Sequence, residues 1–132
     1  MKTLIVEDDL VTRTVLLRTL SSQGTCDVAV NGEEALEAMH LAITTNDPYQ
    51  VICLDVMLPD MSGLEVLQAI RAAEERHGIF ALDGVKVIMT TSREDSATIL
   101  SAFKAGCEAY LIKPFPRNDL LAAVEKLLKA AP

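Results

Sequence analysis

The chain has 132 residues, half of them hydrophobic and 23% charged, with a formal net charge of −7. That length suits one domain able to bury roughly 68–70% of its unfolded surface without a covalent staple, and its apolar runs fall far short of the roughly 18 residues of a membrane span. The acidic balance excludes the basic face of a general nucleic-acid binder, and the start Met1-Lys2-Thr3-Leu4 reaches Glu7 with no apolar leader region, so a cytoplasmic location is expected.

In chain order, Thr3–Val6 is a near-continuous apolar run ending in Glu7, Asp8 and Asp9. Asp9 is placed to cap a first helix. Cys26–Val30 tends to alternate, as an edge strand does, and Asn31 followed by Glu34 has the spacing of a capping box for a helix carrying Leu36, Met39 and Ile43 on one side. Val51–Leu54 is a second continuous apolar run and ends in Asp55. After Pro59, Ser62 and Glu65 repeat the capping spacing. Arg76–Gly84 is the one long connector, expected on the surface, and its Ile79, Phe80 and Leu82 suggest that it either folds back onto the sheet, the favoured reading, or meets a partner. Val85–Met89, broken only by Lys86, leads to Thr90, Thr91 and Ser92, a further helix is expected to end at Gly106, and Ala109–Ile112 is a fifth short strand. Leu120, Leu121, Val124, Leu127 and Leu128 make the stripe of a last helix. Continuous apolar strands alternating with helices predict a (βα)₅ order and a parallel sheet covered on both faces, with ligands bound beyond the carboxyl ends of the strands.

Four strand ends therefore carry the chemistry: acids after the first and third, hydroxyls after the fourth, and Lys113 after the fifth. Carboxylates gathered in one place repel one another unless a cation joins them, and hard oxygen ligands suit Mg²⁺. Glu7, Asp8 and Asp55 total −3, which Mg²⁺ and Lys113 would balance. Phosphoryl transfer asks a protein mainly for positioning, cations and an in-line nucleophile, and Asp55 can serve as that nucleophile. The residues alone leave two registers open, Glu7-Asp8 or Asp8-Asp9 for the acidic pair and Thr90 or Thr91 for the hydroxyl. The cysteines Cys26, Cys53 and Cys107 lack zinc-site spacing and read as reduced thiols, and His40 and His77 as surface residues.

These motifs, with Pro59…Gly63 and Lys113-Pro114-Phe115, make essentially the whole chain resemble the receiver domain of two-component response regulators, in particular a stand-alone chemotaxis receiver. The resemblance implies a flavodoxin-like doubly wound α/β fold of strand order 2-1-3-4-5, a single domain over residues 1–132 and no output domain. It implies Asp55 as phosphoacceptor, Glu7, Asp8, Asp55 and the Met57 carbonyl around Mg²⁺, Thr91 and its neighbour Ser92 with Lys113 on the phosphate, Tyr110 as a switching aromatic, and a cis bond before Pro114. Met57 and Arg93 occupy positions that tune water access, and their length points to a long-lived phosphoryl group. The implied partners are a sensor histidine kinase or phosphotransfer protein and a downstream protein met at a surface of the fourth helix, fifth strand and fifth helix, around Ile99, Phe103, Tyr110 and Phe115, where a homodimer could also form. No chemistry on a separate substrate is expected, only the chain's own phosphorylation and dephosphorylation.

Each piece has a plainer explanation: an acid pair in a solvated turn, Asp55 as a turn cap, hydroxyls at an ordinary strand end, a surface lysine. Their joint appearance in one order favours the site. An aspartate-nucleophile phosphatase would need a second acid two residues after Asp55, where Met57 stands. A flavin carrier would place its phosphate against Glu7-Asp8-Asp9. A phosphate-independent pseudo-receiver is the remaining alternative.

Overall fold

In the computed structural model, which describes residues 1–80 and 83–130, five strands alternate with five helices. The order is β1 (Lys2–Val6), α1 (Leu10–Ser21), β2 (Thr25–Ala29), α2 (Gly32–Thr44), β3 (Val51–Leu54), α3 (Gly63–Arg76), β4 (Lys86–Thr91), α4 (Ser96–Ala105), β5 (Ala109–Ile112) and α5 (Arg117–Ala130). The strands form one parallel sheet in the order β2-β1-β3-β4-β5. This is the doubly wound, flavodoxin-like arrangement expected from the sequence, with the order turning at β1 and β3, where a crevice opens beyond the strand ends.

Burial explains the composition of the strands. All of β3 and β4 and most of β1 are buried, so β3 and the Val87–Met89 centre of β4 are apolar on both faces, with polar Lys86, Thr90 and Thr91 buried at the ends of β4, whereas β2 and β5, at the two edges, are largely exposed or half-buried. Leu4, Val6, Ile52, Leu54, Val87 and Met89 face α2, α3 and α4, while Ile5, Val51, Cys53 and Ile88 face α1 and α5. At roughly 1.5–3 kcal/mol for each large apolar side chain fully buried, these two layers dominate the stability of the domain. β4 runs two residues beyond the expected apolar stretch because Thr90 and Thr91 pair with Leu111 and Ile112. β2 begins one residue early and stops before Val30, whose amide turns to the Glu34 carboxylate.

The helix starts follow local chemistry. The Asp9, Asn31 and Ser62 side chains accept the amides of Thr12, Glu34 and Leu64, and Gly106 ends α4 at φ 106°, a left-handed conformation that suits glycine. The buried face of α2 departs from the expected stripe. Met39 is buried, but Leu36 and Ile43 are only half-buried, and Gly32, Ala35 and Ala42 make the closest approach to the core. In α5, Leu120 and Val124 take the central positions.

In the connector after α3, Ile79 is half-buried with its amide on the Glu74 carbonyl at the end of α3, while Phe80 is 58% exposed. Leu82 lies outside the described residues. The three cysteines are free thiols, and His40 and His77 are exposed.

Candidate functional site

Parallel register brings the strand ends level. Val6 pairs with Leu54, so Glu7 and Asp55 leave the sheet side by side, and the Asp55 amide bonds the Val6 carbonyl. On the other side Thr91 pairs with Ile112, and its carbonyl accepts the Lys113 amide, placing the base of the lysine beside the end of β4. The Lys113–Pro114 bond is cis, as expected.

The side chains meet. Lys113 donates from Nζ to Asp55 Oδ2 at 3.0 Å and to Glu7 Oε1, forming ion pairs with both. Asp55 Oδ1 accepts the Met57 amide at 3.1 Å, and Glu7 Oε2 accepts the Asp9 amide at 3.2 Å. Glu7 is fully buried, Asp55 is 6% exposed, and Asp8 is open to solvent, yet carboxylate oxygens of all three lie within 4.8 Å of one another. One lysine cannot neutralise three acids. Burial pushes the Glu7 carboxyl up to about 7, against the lowering effect of its bond to Lys113 and with the Asp55 charge adding to the rise. Burial also works against the charge of Lys113, but its bonds to Glu7 and Asp55 outweigh this and hold it above the ordinary lysine value.

This donor set fits a hard divalent cation. Three carboxylates on one convergent surface, with an excess of negative charge and one member facing water, match the small, oxygen-preferring Mg²⁺. Of the two possible acidic pairs, Glu7-Asp8 is the one at the site, because Asp9 is engaged as the α1 cap by the amide and hydroxyl of Thr12.

The chain turns back on Asp55 at Gly63. A Cβ there would lie 2.0 Å from the Asp55 carbonyl oxygen, and the Gly63 amide bonds the Val56 carbonyl at 2.7 Å. Only glycine permits this approach, which makes Pro59…Gly63 part of the site's scaffold.

The hydroxyls separate clearly. Both threonines are buried, but Thr91 Oγ1 accepts the Arg93 amide at 3.3 Å, whereas Thr90 Oγ1 has no hydrogen-bond partner among the described residues. Ser92 is exposed just beyond them. The Tyr110 hydroxyl donates to the Arg93 carbonyl at 2.6 Å, so the loop after β4 is held at one residue by both Thr91 and Tyr110.

Several contacts went unforeseen. The Arg93 side chain bonds Asp95 at 3.0 Å and Thr98 at 3.4 Å, lying along the start of α4, which Asp95 caps. The spacing Asp95-x-x-Thr98 carried that signal. Asp60 receives the amides of Gly32 and Glu33, tying the loop after β3 to the start of α2. Phe115 departs from the expected grouping: Ile99, Phe103 and Tyr110 belong to the α4–β5 side, but Phe115 packs with the α1–α5 layer and lines a depression with Val11, Val15 and Pro114. The turn at Pro114 carries the chain across the sheet edge before Phe115, so sequence adjacency to Lys113 does not place it on the same face as Tyr110.

Comparison with known proteins agrees with this geometry. Residues 3–125 match the family model described as the response regulator receiver domain. The chain is 32% identical over 128 residues to a chemotaxis protein CheY homolog of Campylobacter jejuni, covering 97% of this chain and 92% of that one. It is 35% identical over 130 residues to the transcriptional regulatory protein CusR of Escherichia coli, covering 98% of this chain but 52% of CusR. Among solved structures, the BeF3-activated receiver domain of DrrB from Thermotoga maritima superposes with a TM-score of 0.79 at 30% identity, covering 97% of each chain. With the family model spanning nearly its full length, this chain belongs to the response regulator receiver domains of two-component systems.

Proposed function

We propose that the chain is a phosphoreceiver that takes a phosphoryl group onto Asp55 from a sensor histidine kinase or a phosphotransfer protein, and signals to another protein through α4, β5 and α5. The observation that carries this reading is the placement of Asp55. Its nearly buried carboxylate is held by the Met57 amide and by Lys113, with the oxygens of Glu7 and Asp8 within 4.8 Å. A turn cap would not need that surrounding.

In this reading an Asp55 oxygen attacks phosphorus in line while the bond to the donor imidazole breaks. Glu7, Asp8, Asp55 and the Met57 carbonyl would hold Mg²⁺, which would spread the negative charge of the phosphoryl oxygens. Lys113 exchanges its bond to Asp55 for one to a phosphoryl oxygen, so its cation stays in the site throughout. Thr91 turns its hydroxyl toward the same group, with Ser92 beside it. That movement gives up the Arg93 amide, and Tyr110, bonded to the Arg93 carbonyl, responds to it. Leu100 and Phe103, both exposed on α4 beside that movement, lie on the surface a downstream protein or a second copy of the chain would meet. The chain acts on no separate substrate, and Met57 in place of a second acid sets it apart from aspartate-nucleophile phosphatases. Among the described residues no helix is long and apolar enough to cross a membrane.

Incubation with acetyl phosphate and Mg²⁺ should add one base-labile phosphoryl group, detected by intact mass and mapped to the Asp55 peptide. Asp55→Asn should reduce labelling at that peptide at least a hundredfold. Undiminished labelling in the variant, or none in the wild type, would leave a phosphate-independent interaction module as the better account.

A further inference from the structure

The charge of the chain is unevenly distributed. Between Thr19 and Ile70 there are eight Asp or Glu residues and neither Lys nor Arg, so that stretch alone carries −8 while the rest of the chain is nearly balanced, giving the net −7. The stretch includes all of α2 and the loop after β3. There, an open depression of about 770 Å³ has Leu36, Leu41 and Met61 as its apolar floor and Glu33, Glu37 and Asp60 around it. Leu41 is 62% exposed, and His40 beside it is also open to solvent.

The floor is fixed by the fold. Met61 sits over Gly32 so closely that a Cβ on Gly32 would lie 2.4 Å from Met61 Cγ. Asp60 accepts the amides of Gly32 at 2.8 Å and Glu33 at 2.9 Å, and these bonds hold its carboxyl below the ordinary range, so it stays ionised. A surface already set in one arrangement loses little conformational entropy on binding.

From this juxtaposition we infer that the α2 face and the Asp60–Met61 loop form a docking site for a cationic amphipathic helix of another protein, one whose apolar ridge is flanked by Lys or Arg. The geometry suits a helix. Glu33, Glu37 and Leu41 stand at successive turns of one row, with Leu36 and His40 in the row beside it, so that acidic and apolar side chains are interleaved over two turns and can meet anchors at i, i+3, i+4 and i+7 with flanking cations. A second copy docking through the same face would bring Glu33, Glu37 and Asp60 against their own images, and an anionic lipid surface would be repelled in the same way. The site is distinct from the α4–β5–α5 surface, and the inference does not rest on phosphorylation of Asp55.

The test uses the full chain, labelled with ¹⁵N, and a synthetic helical peptide of about 18 residues with leucines at i, i+3, i+4 and i+7 flanked by lysines. Saturable amide shifts centred on Leu36, His40, Leu41 and Met61 are expected. Leu41→Asp should weaken binding at least tenfold, and Glu33→Gln with Glu37→Gln about fivefold, with a flatter salt dependence. Leu100→Asp, exposed on α4, should leave affinity within twofold of wild type. The inference is overturned by no saturable shifts at millimolar peptide, shifts centred on Phe103 and Tyr110 or on Val11 and Val15, unchanged affinity for Leu41→Asp, or equal binding of a peptide with glutamates in place of the lysines.

Discussion

Two polar clusters sit at opposite ends of the same sheet, each built around a long cation that pairs with two carboxylates. At the amino ends of β4 and β5, Arg71 bonds Glu74 at 2.8 Å, Glu108 at 2.9 Å and the carbonyls of Val85 and Gly106. Each of those carboxylates also receives a backbone amide, Val85 to Glu74 at 2.7 Å and Val87 to Glu108 at 2.6 Å. At the carboxyl ends, Lys113 serves Glu7 and Asp55 while Asp8 completes a group of three acids. The planar guanidinium, with five donors, satisfies several acceptors at once and ties α3 to the end of α4. The point charge of Lys113 leaves a surplus of negative charge facing solvent. One cluster is closed on itself, and the other is arranged to accept a cation and an incoming group.

The largest expected effect breaks the closed cluster. Arg71→Met leaves Glu74, nearly buried, without the guanidinium that pairs it, leaves Glu108 with the charge of Lys86 but not that of Arg71, and frees two carbonyls. It should cost about 3 kcal/mol in urea unfolding, in the range for removing one partner of a buried ion pair. Labelling of Asp55 by a phosphodonor should survive in whatever fraction remains folded, since the two clusters share no residue. A loss below about 1 kcal/mol would mean that the amides of Val85 and Val87 suffice without the cation.

Next comes a change of opposite sign in the open cluster. The Glu7 carboxyl is raised to about 7 from an ordinary 4.5, chiefly by burial. A folded-state value above the unfolded one contributes stability that is fully present below pH 4.5 and is lost as pH rises to about 7. Glu7→Gln cannot ionise and keeps that contribution. At pH 8 it should be more stable than wild type by roughly 2 kcal/mol, with the gap closing as pH falls to the unfolded value. Added Mg²⁺ at pH 8 should narrow the gap by stabilising the wild type more than the variant. Paired urea melts at pH 5 and pH 8, with and without Mg²⁺, read this directly, and a pH-independent gap would remove Glu7 ionisation as the cause.

The open cluster was far more legible in the sequence than the closed one. Asp9, Asn31 and Ser62 cap helices through residues two or three positions away, so their roles are written locally. Glu7, Asp55, Thr91 and Lys113 are far apart in the chain, yet each announces itself at the end of an apolar strand, and parallel pairing then has to align those ends. Arg71 and Glu108 have no such marker. They are 37 residues apart on a helix and in a turn, and only the packing of α3 beside α4 brings them together. The Asp60 bonds to the start of α2, across 28 residues, were hidden for the same reason. The α2 core face was misjudged on size: at close helix-to-sheet contact alanine is the residue that fits, and the larger Leu36 is displaced to the rim. Phe115 was assigned by its neighbours in sequence, although a turn intervenes.

The smallest expected effect concerns how open the open cluster is to water. Met57 and Arg93 were expected to shield the phosphoryl group together, but the structure sets them in different circumstances. Met57 is 56% exposed beside the carboxylate that its own amide holds, whereas the Arg93 guanidinium is bonded to Asp95 and Thr98 along α4. If shielding depends on apolar bulk at the entrance, Met57→Asn should speed dephosphorylation by about tenfold, equivalent to roughly 1.4 kcal/mol of barrier. Arg93→Glu alone should change the rate less than threefold while weakening the start of α4, by placing an acid beside Asp95, and the double variant should match Met57→Asn within that margin. Timed loss of the phosphoryl group by intact mass, after removal of the donor, distinguishes the two positions. A rate set by Arg93 instead would mean that its bonds to Asp95 and Thr98 give way once Asp55 is phosphorylated, so that the guanidinium itself comes to cover the site.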